Sequence, residues 1–181
     1  MRTLDELGPH WSSHFINAYP IEMVYLESEE AKKLLIDPTP NFQLKYDDGI
    51  VEGVLTLTRN HPLLIHLLGG LLVKQANKAR TRVITNSLLN NAVDEALAAA
   101  PYFHNIWDEL TGRSREEILF GRVILDAIAR DFVIPRYGTS ICEAALHRLQ
   151  RFHVIERTSD GYRIEIPLFK RWVLTHGIIE S

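Results

Sequence analysis

The chain has 181 residues, 46% of them hydrophobic and 24% charged, which is the balance of a globular protein and excludes an extended disordered polymer. Its net charge of −3, with histidines neutral, does not suggest a protein built around nucleic acid or an anionic membrane. A single cysteine, Cys142, excludes an internal disulfide and a cysteine-rich zinc site, and its place in a helical run over 141–150 suggests a small buried hydrophobe.

At this length one or two domains are expected. The longest apolar run, 63–73, contains His66 and falls short of the ~20 residues that a membrane span needs. No charged-then-apolar signal pattern opens the sequence, so a soluble cytoplasmic protein is the expectation. The stretch up to Gly112 is acidic and the remainder mildly basic, a tilt that an ordinary solvated surface explains.

Residues 1–19 show no clear period, and 21–26 read as a short extended segment. Ser28 is the expected cap of a first helix, with Glu29 and Glu30 in its first turn and Asp37-Pro38 as its stop. Asp47 or Asp48 opens a second helix, whose apolar positions Ile50, Val51, Val54, Leu55 and Leu57 lie close to helical spacing. Pro62 suits the first turn of a third helix over about 63–77. That helix is apolar almost all round, and Gly69-Gly70 in its middle would allow close backbone packing.

Val83-Ile84 leads into a helix capped by Thr85, with Leu88, Leu89, Ala92, Val93, Ala96 and Leu97 as its stripe. Pro101 starts another, carrying Phe103, Ile106, Trp107 and Leu110 and ending at Gly112. The last third changes rhythm. A helix containing Ile118, Leu119, Val123, Ile124, Ala127 and Ile128 is followed by a break at Pro135 and Gly138. A helix over 140–152 then begins at Thr139 or Ser140, where Ser140 and Glu143 have capping-box spacing.

Strand-like runs at 154–157 and 162–166 flank Asp160-Gly161, a hairpin signal, and Pro167 opens a final helix. The expected fold is mainly α: a helical lid-like bundle over 20–100, then a winged helix-turn-helix over 113–175 with a small β-hairpin as its wing.

The order of these motifs resembles one family. The run Tyr25-Leu26-Glu27-Ser28-Glu29-Glu30-Ala31, followed by Leu34-Leu35-Ile36-Asp37-Pro38, resembles the segment leaving the ATPase core of STAND-class AAA-type NTPases. Tyr46-Asp47-Asp48-Gly49-Ile50 and Leu57-Thr58-Arg59-Asn60-His61-Pro62 resemble that family's lid, with Asn60 standing where the family usually has glycine. Val83-Ile84-Thr85 and the closing Asp160-Gly161-Tyr162-Arg163-Ile164 through Trp172 resemble its later elements.

This resemblance implies that Pro62 packs on the adenine of a bound nucleotide, with His61 and Arg59 nearby. A proline ring is a rigid apolar surface, and the helix start beside it offers free N–H groups. The nucleotide would be ATP or ADP held with an ATPase core in the same or another chain, because no G-x-x-x-x-G-K-[ST] loop is present here. The chain on its own is therefore expected to have no cofactor and no catalytic activity.

Other chemistry is thinly supported. His10 and His14 have the spacing of two zinc ligands on one helix face, but no third ligand lies near, so no metal is expected. Cys142 has no evident partner base, and there is no G-x-S-x-G motif. The alternative function is a stand-alone winged-helix DNA-binding regulator using Arg148, Arg151, Arg157 and Arg163. Glu143, Glu156, Asp160 and Glu165 share those elements and repel phosphate, which favours protein contact over DNA. The resemblance points the same way, since the family's winged helix often packs on the ATPase core.

Overall fold

The computed structural model describes residues 25–99, 101–112, 114–132 and 140–177. His10, His14, most of the extended segment expected at 21–26, the break at Pro135 and Gly138, and the cap position Thr139 lie outside them. The architecture is mainly helical with a small antiparallel hairpin near the C-terminal end, as the patterning predicts.

Helix α1 (Ser28–Ile36) buries Ala31 and Leu35. Its cap is Glu27, which is extended and makes no side-chain bond. Ser28, expected as the cap, is the first helical residue. Strand β1 (Lys45–Tyr46) was not anticipated from the sequence and pairs in parallel with β2 (Val83–Ile84). Helix α2 (Ile50–Thr58) is preceded by Gly49 in the left-handed region (φ 78°), not by a capping aspartate. Asp47 contributes its backbone carbonyl, which accepts from the Ile50 N–H at 3.2 Å.

Helix α3 (Pro62–Ala79) buries Leu64, Ile65, Leu68, Leu72 and Ala76. Leu63, 52% exposed, and the exposed His66 and Gly70 show that one face of this helix meets solvent, so its apolar character does not make it buried all round. The paired glycines are not forced by close packing either. A Cβ on Gly69 would rest 3.5 Å from Leu35 Cδ1, and one on Gly70 would meet open space.

Helix α4 (Asn86–Ala99) follows Thr85, whose hydroxyl lies 3.5 Å from the Leu88 N–H. Helix α5 (Pro101–Asn105) runs into a π-type turn over Ile106–Leu110, a wider winding than the regular helix expected there. Helix α6 (Arg115–Ala129) is capped by Ser114, which accepts from the Glu117 N–H at 3.2 Å. Helix α7 (Ser140–Arg151) leads to β3 (Ile155–Thr158), β4 (Gly161–Ile164) and α8 (Pro167–His176). In the hairpin Ile155 pairs with Ile164 and Glu156 with Arg163. Thr158 pairs with Gly161, so the loop is Ser159-Asp160 and Gly161 (φ 140°) begins the return strand.

The buried side chains form one continuous cluster from Ala31 to Val173. Helix α3 packs against α1 and α4, α6 against α7, and α8 against α6, α2 and α4. Trp172 of α8, 1% exposed, stacks on Phe169 with ring centres 5.9 Å apart and meets Phe103 and Trp107 from the α5–π-turn segment at 6.2 and 5.9 Å. Fully burying an aromatic or branched side chain of this kind contributes about 1.5–3 kcal/mol.

The π-turn leaves carbonyls without helical partners, and side chains supply them. Thr111 donates to the Trp107 carbonyl at 2.7 Å, and Arg148 of α7 donates from Nη2 to the Glu109 carbonyl at 3.0 Å and from Nε to that of Leu110 at 3.2 Å. Gly121 lies so tightly on this turn that a Cβ there would stand 2.1 Å from the Thr111 carbonyl oxygen.

Candidate functional site

The turn between α2 and α3 is built by two successive left-handed residues, Arg59 (φ 50°) and Asn60 (φ 58°). Asparagine tolerates that region better than most side chains, which suits the left-handed backbone of this turn. The Asn60 N–H reaches back to the Leu55 carbonyl at 3.2 Å and the His61 N–H to that of Thr58 at 3.0 Å. Those bonds close α2 and aim α3 away from it. The Asn60 carbonyl accepts from the Leu26 N–H at 3.0 Å, which brings the segment before α1 against the turn. Pro62 is the first residue of α3 and half-buried.

Arg59 does not point into open solvent. Its Nη1 and Nη2 donate to the two carboxylate oxygens of Glu156 on β3, at 2.5 and 2.9 Å. Nη1 also reaches the Glu165 carbonyl just beyond β4 at 3.2 Å, so a single guanidinium grips β3 and the segment that leaves β4. The Tyr25 ring lies under it, 5.3 Å from the guanidinium carbon. The Tyr25 hydroxyl in turn donates to Glu165 Oε2 at 2.7 Å, and His153 Nδ1 is 3.5 Å from the other oxygen.

Glu165 is only 7% exposed, so these partners are what make a buried carboxylate tolerable. Glu156 also receives Arg163 from across the ladder. Hydrogen bonds from Arg59 and then Arg163 hold the Glu156 carboxyl at about 2, against an ordinary 4.5. Burial, reinforced by Glu165, pushes the Tyr25 phenol well above its ordinary value, which keeps it a donor.

His61 completes the cluster from the other side. Its ring is edge-on to Tyr25 and tilted against Tyr102, with centres 6.1 and 5.4 Å apart, and Nε2 is 3.3 Å from the Tyr102 hydroxyl. Burial lowers its pKa from the ordinary 6.5, so the imidazole is neutral at pH 7. His61 Nδ1 is buried with no hydrogen-bond partner among the described residues.

The structure thus gathers Arg59, His61 and Pro62, as the sequence reading groups them, and adds Tyr25, Tyr102, Glu156 and Glu165. The hairpin members were missed because they lie about a hundred residues away in the chain, and the only local hint was the opposite charges at Glu156 and Arg163. Two of the four arginines assigned to DNA have internal partners. Arg163 is paired with Glu156 and Arg148 serves the π-turn, where it also covers the Phe152 ring at 4.9 Å. Arg151 and Arg157 are exposed.

Among known proteins, no family model matches the chain and no curated protein does. Solved structures of the Thermotoga maritima RuvB Holliday junction branch migration motor, and of variants of it, overlay 83% of this chain at 12% identity with a TM-score of 0.42. The chain spans about half the length of those structures, 50% in the first. So loose an overlay assigns neither a family nor a role. Among the described residues, no helix is long and apolar enough to cross a membrane.

Proposed function

We propose that this chain is a non-catalytic regulatory module of a nucleotide-dependent switch, in which the turn at Arg59, His61 and Pro62 contacts adenine and the hairpin senses that contact. The observation that carries the reading is the grip of Arg59 on Glu156 and on the Glu165 carbonyl, which ties the turn to the hairpin. The likeness of the motif order to STAND-class AAA-type NTPases supports a lid over 20–100 and a winged helix over 113–175.

The phosphate-cradling loop would come from an ATPase core in the same or another chain, with ATP or ADP as the nucleotide and the cytoplasm as the setting. Nucleotide binding would then act as a population shift between two packings of turn and hairpin, driven only by its differential affinity for them. His61 Nδ1, buried without a hydrogen-bond partner among the described residues, lies beside Pro62 and favours a polar ligand at the turn. The DNA-binding alternative is weaker, because Arg148 and Arg163 are already committed to internal partners.

Amide NMR spectra of the full chain with millimolar ADP test the proposal. Shifts are expected at Asn60, His61 and Leu63 and, through Arg59, at Glu156 and Glu165. Saturating ADP that leaves the turn amides unmoved would remove the adenine contact.

A further inference from the structure

Arg59 presents a planar fork of two N–H donors to a planar pair of oxygens, at 2.5 and 2.9 Å. A phosphate-type oxyanion satisfies that fork as well as a carboxylate does. The guanidinium is held ready for an anion by features independent of Glu156: the left-handed backbone at Arg59, the Tyr25 ring beneath it and the Glu165 carbonyl. Its side chain is 34% exposed, so one side remains open to solvent, and the N-terminus of α3 begins three residues on.

The two partners are not equally dependent on the pair. Glu156 has a second cation, Arg163, directly opposite on β4, so it is not left alone when Arg59 departs. Among the described residues Arg59 has no second carboxylate at bonding distance, because Glu165 offers it only a backbone carbonyl and spends its carboxylate on Tyr25 and His153. An incoming anion can therefore take Arg59 while Glu156 falls back on Arg163. The charged and titratable groups facing this exchange are Arg59, Tyr25 and His61 from the turn side and His153, Glu156, Arg163 and Glu165 from the hairpin side, with Tyr102 behind His61.

We propose that Glu156 is an internal competitor for an oxyanion site on Arg59, so that hairpin closure over the turn and binding of a phosphate-bearing ligand exclude each other. This rests on the reading of the turn as a nucleotide contact and names its regulation.

The test uses the full chain, titrated with ADP, adenosine and inorganic pyrophosphate and followed by the turn and hairpin amides. Glu156→Gln weakens the competitor and is expected to tighten ADP and pyrophosphate by about fivefold, the factor by which a solvent-screened ion pair withholds the open form. Adenosine, which has no oxyanion, should gain nothing. Glu156→Asp keeps the charge for Arg163 but shortens the reach to Arg59, so it should reproduce the gain in a chain whose hairpin remains folded. Arg163→Gln removes the fallback partner and should not tighten either anion.

Equal ADP affinity in the native chain and both Glu156 variants would overturn the competition and leave the nucleotide contact standing. An equal gain for adenosine would overturn the oxyanion assignment. No binding of ADP to any of the proteins would overturn the nucleotide reading, and this inference with it.

Discussion

Arg59 and Glu156, 97 positions apart in the chain, form a two-pronged ion pair that fastens the α2–α3 turn to the first strand of the hairpin. Its strength has a defined pH window. The Glu156 carboxyl is depressed to about 2 from 4.5, so its contribution is complete above the ordinary value and lost as pH falls through the depressed one. With side-chain exposures of 34% and 24%, solvent screens the pair, and about 1 kcal/mol is its expected scale. Urea unfolding of the native chain and Glu156→Gln should differ by that amount at neutral pH and converge between pH 4.5 and about 2. A gap that persists unchanged at the acid end would contradict the assignment.

Tyr25 secures the same junction through Glu165. Tyr25→Phe removes the donor from a nearly buried carboxylate and should lower unfolding free energy by about 1–2 kcal/mol. The folded phenol is raised above its ordinary 10, so its contribution is intact below that value and declines as pH rises beyond it. Absorbance titration of the folded chain should show fewer ionising tyrosines than the six in the sequence until alkaline unfolding releases Tyr25. Full tyrosine ionisation in a chain that remains folded would argue against the buried bond.

Arg148 distinguishes a structural arginine from a DNA contact. Arg148→Ala strips donors from the Glu109 and Leu110 carbonyls and should cost about 1–2 kcal/mol in thermal or urea unfolding. Arg157→Ala, on an exposed strand position, should change stability little. If the reverse ranking were measured, or if Arg148→Ala abolished duplex binding at low salt without destabilising the fold, the helix before the hairpin would have to be read as a DNA-facing element.

Two glycines should respond oppositely to alanine. At Gly70 a Cβ meets nothing within 4 Å in the middle of α3, so Gly70→Ala should stabilise by about 0.5–1 kcal/mol through helix propensity. At Gly121 the Cβ would stand 2.1 Å from the Thr111 carbonyl oxygen, and Gly121→Ala should cost at least about 2 kcal/mol as the backbone moves apart. Melting temperatures of the two variants, compared with the native chain, decide the point.

The longer helices were legible because their apolar spacing is strong and proline or glycine punctuates them, as at Pro62, Pro101 and Pro167. Local capping was less so. Ser28 looks like a cap, but Glu27 takes that place, and Gly49 opens α2 with a left-handed backbone that Asp47 and Asp48 made easy to overlook. The parallel pairing of Lys45–Tyr46 with Val83–Ile84 escaped notice because two-residue strands carry no period, and α2 and α3 separate the partners in the chain. The candidate site divides the same way. Arg59, His61 and Pro62 are contiguous and were found through a motif, whereas Tyr25, Tyr102, Glu156 and Glu165 join them only when distant segments fold together.

The placement of α8 also bears on how the chain is made. Phe103 and Trp107 meet Trp172, and α2 and α4 both pack on the helix that carries it. A chain emerging from the ribosome N-terminus first therefore exposes these aromatic surfaces through the synthesis of α6, α7 and the hairpin, and covers them only when Pro167–His176 arrives. A pause in translation before that helix would prolong the exposure of an aggregation-prone aromatic surface. Burial of this aromatic cluster is in this sense timed by the arrival of α8.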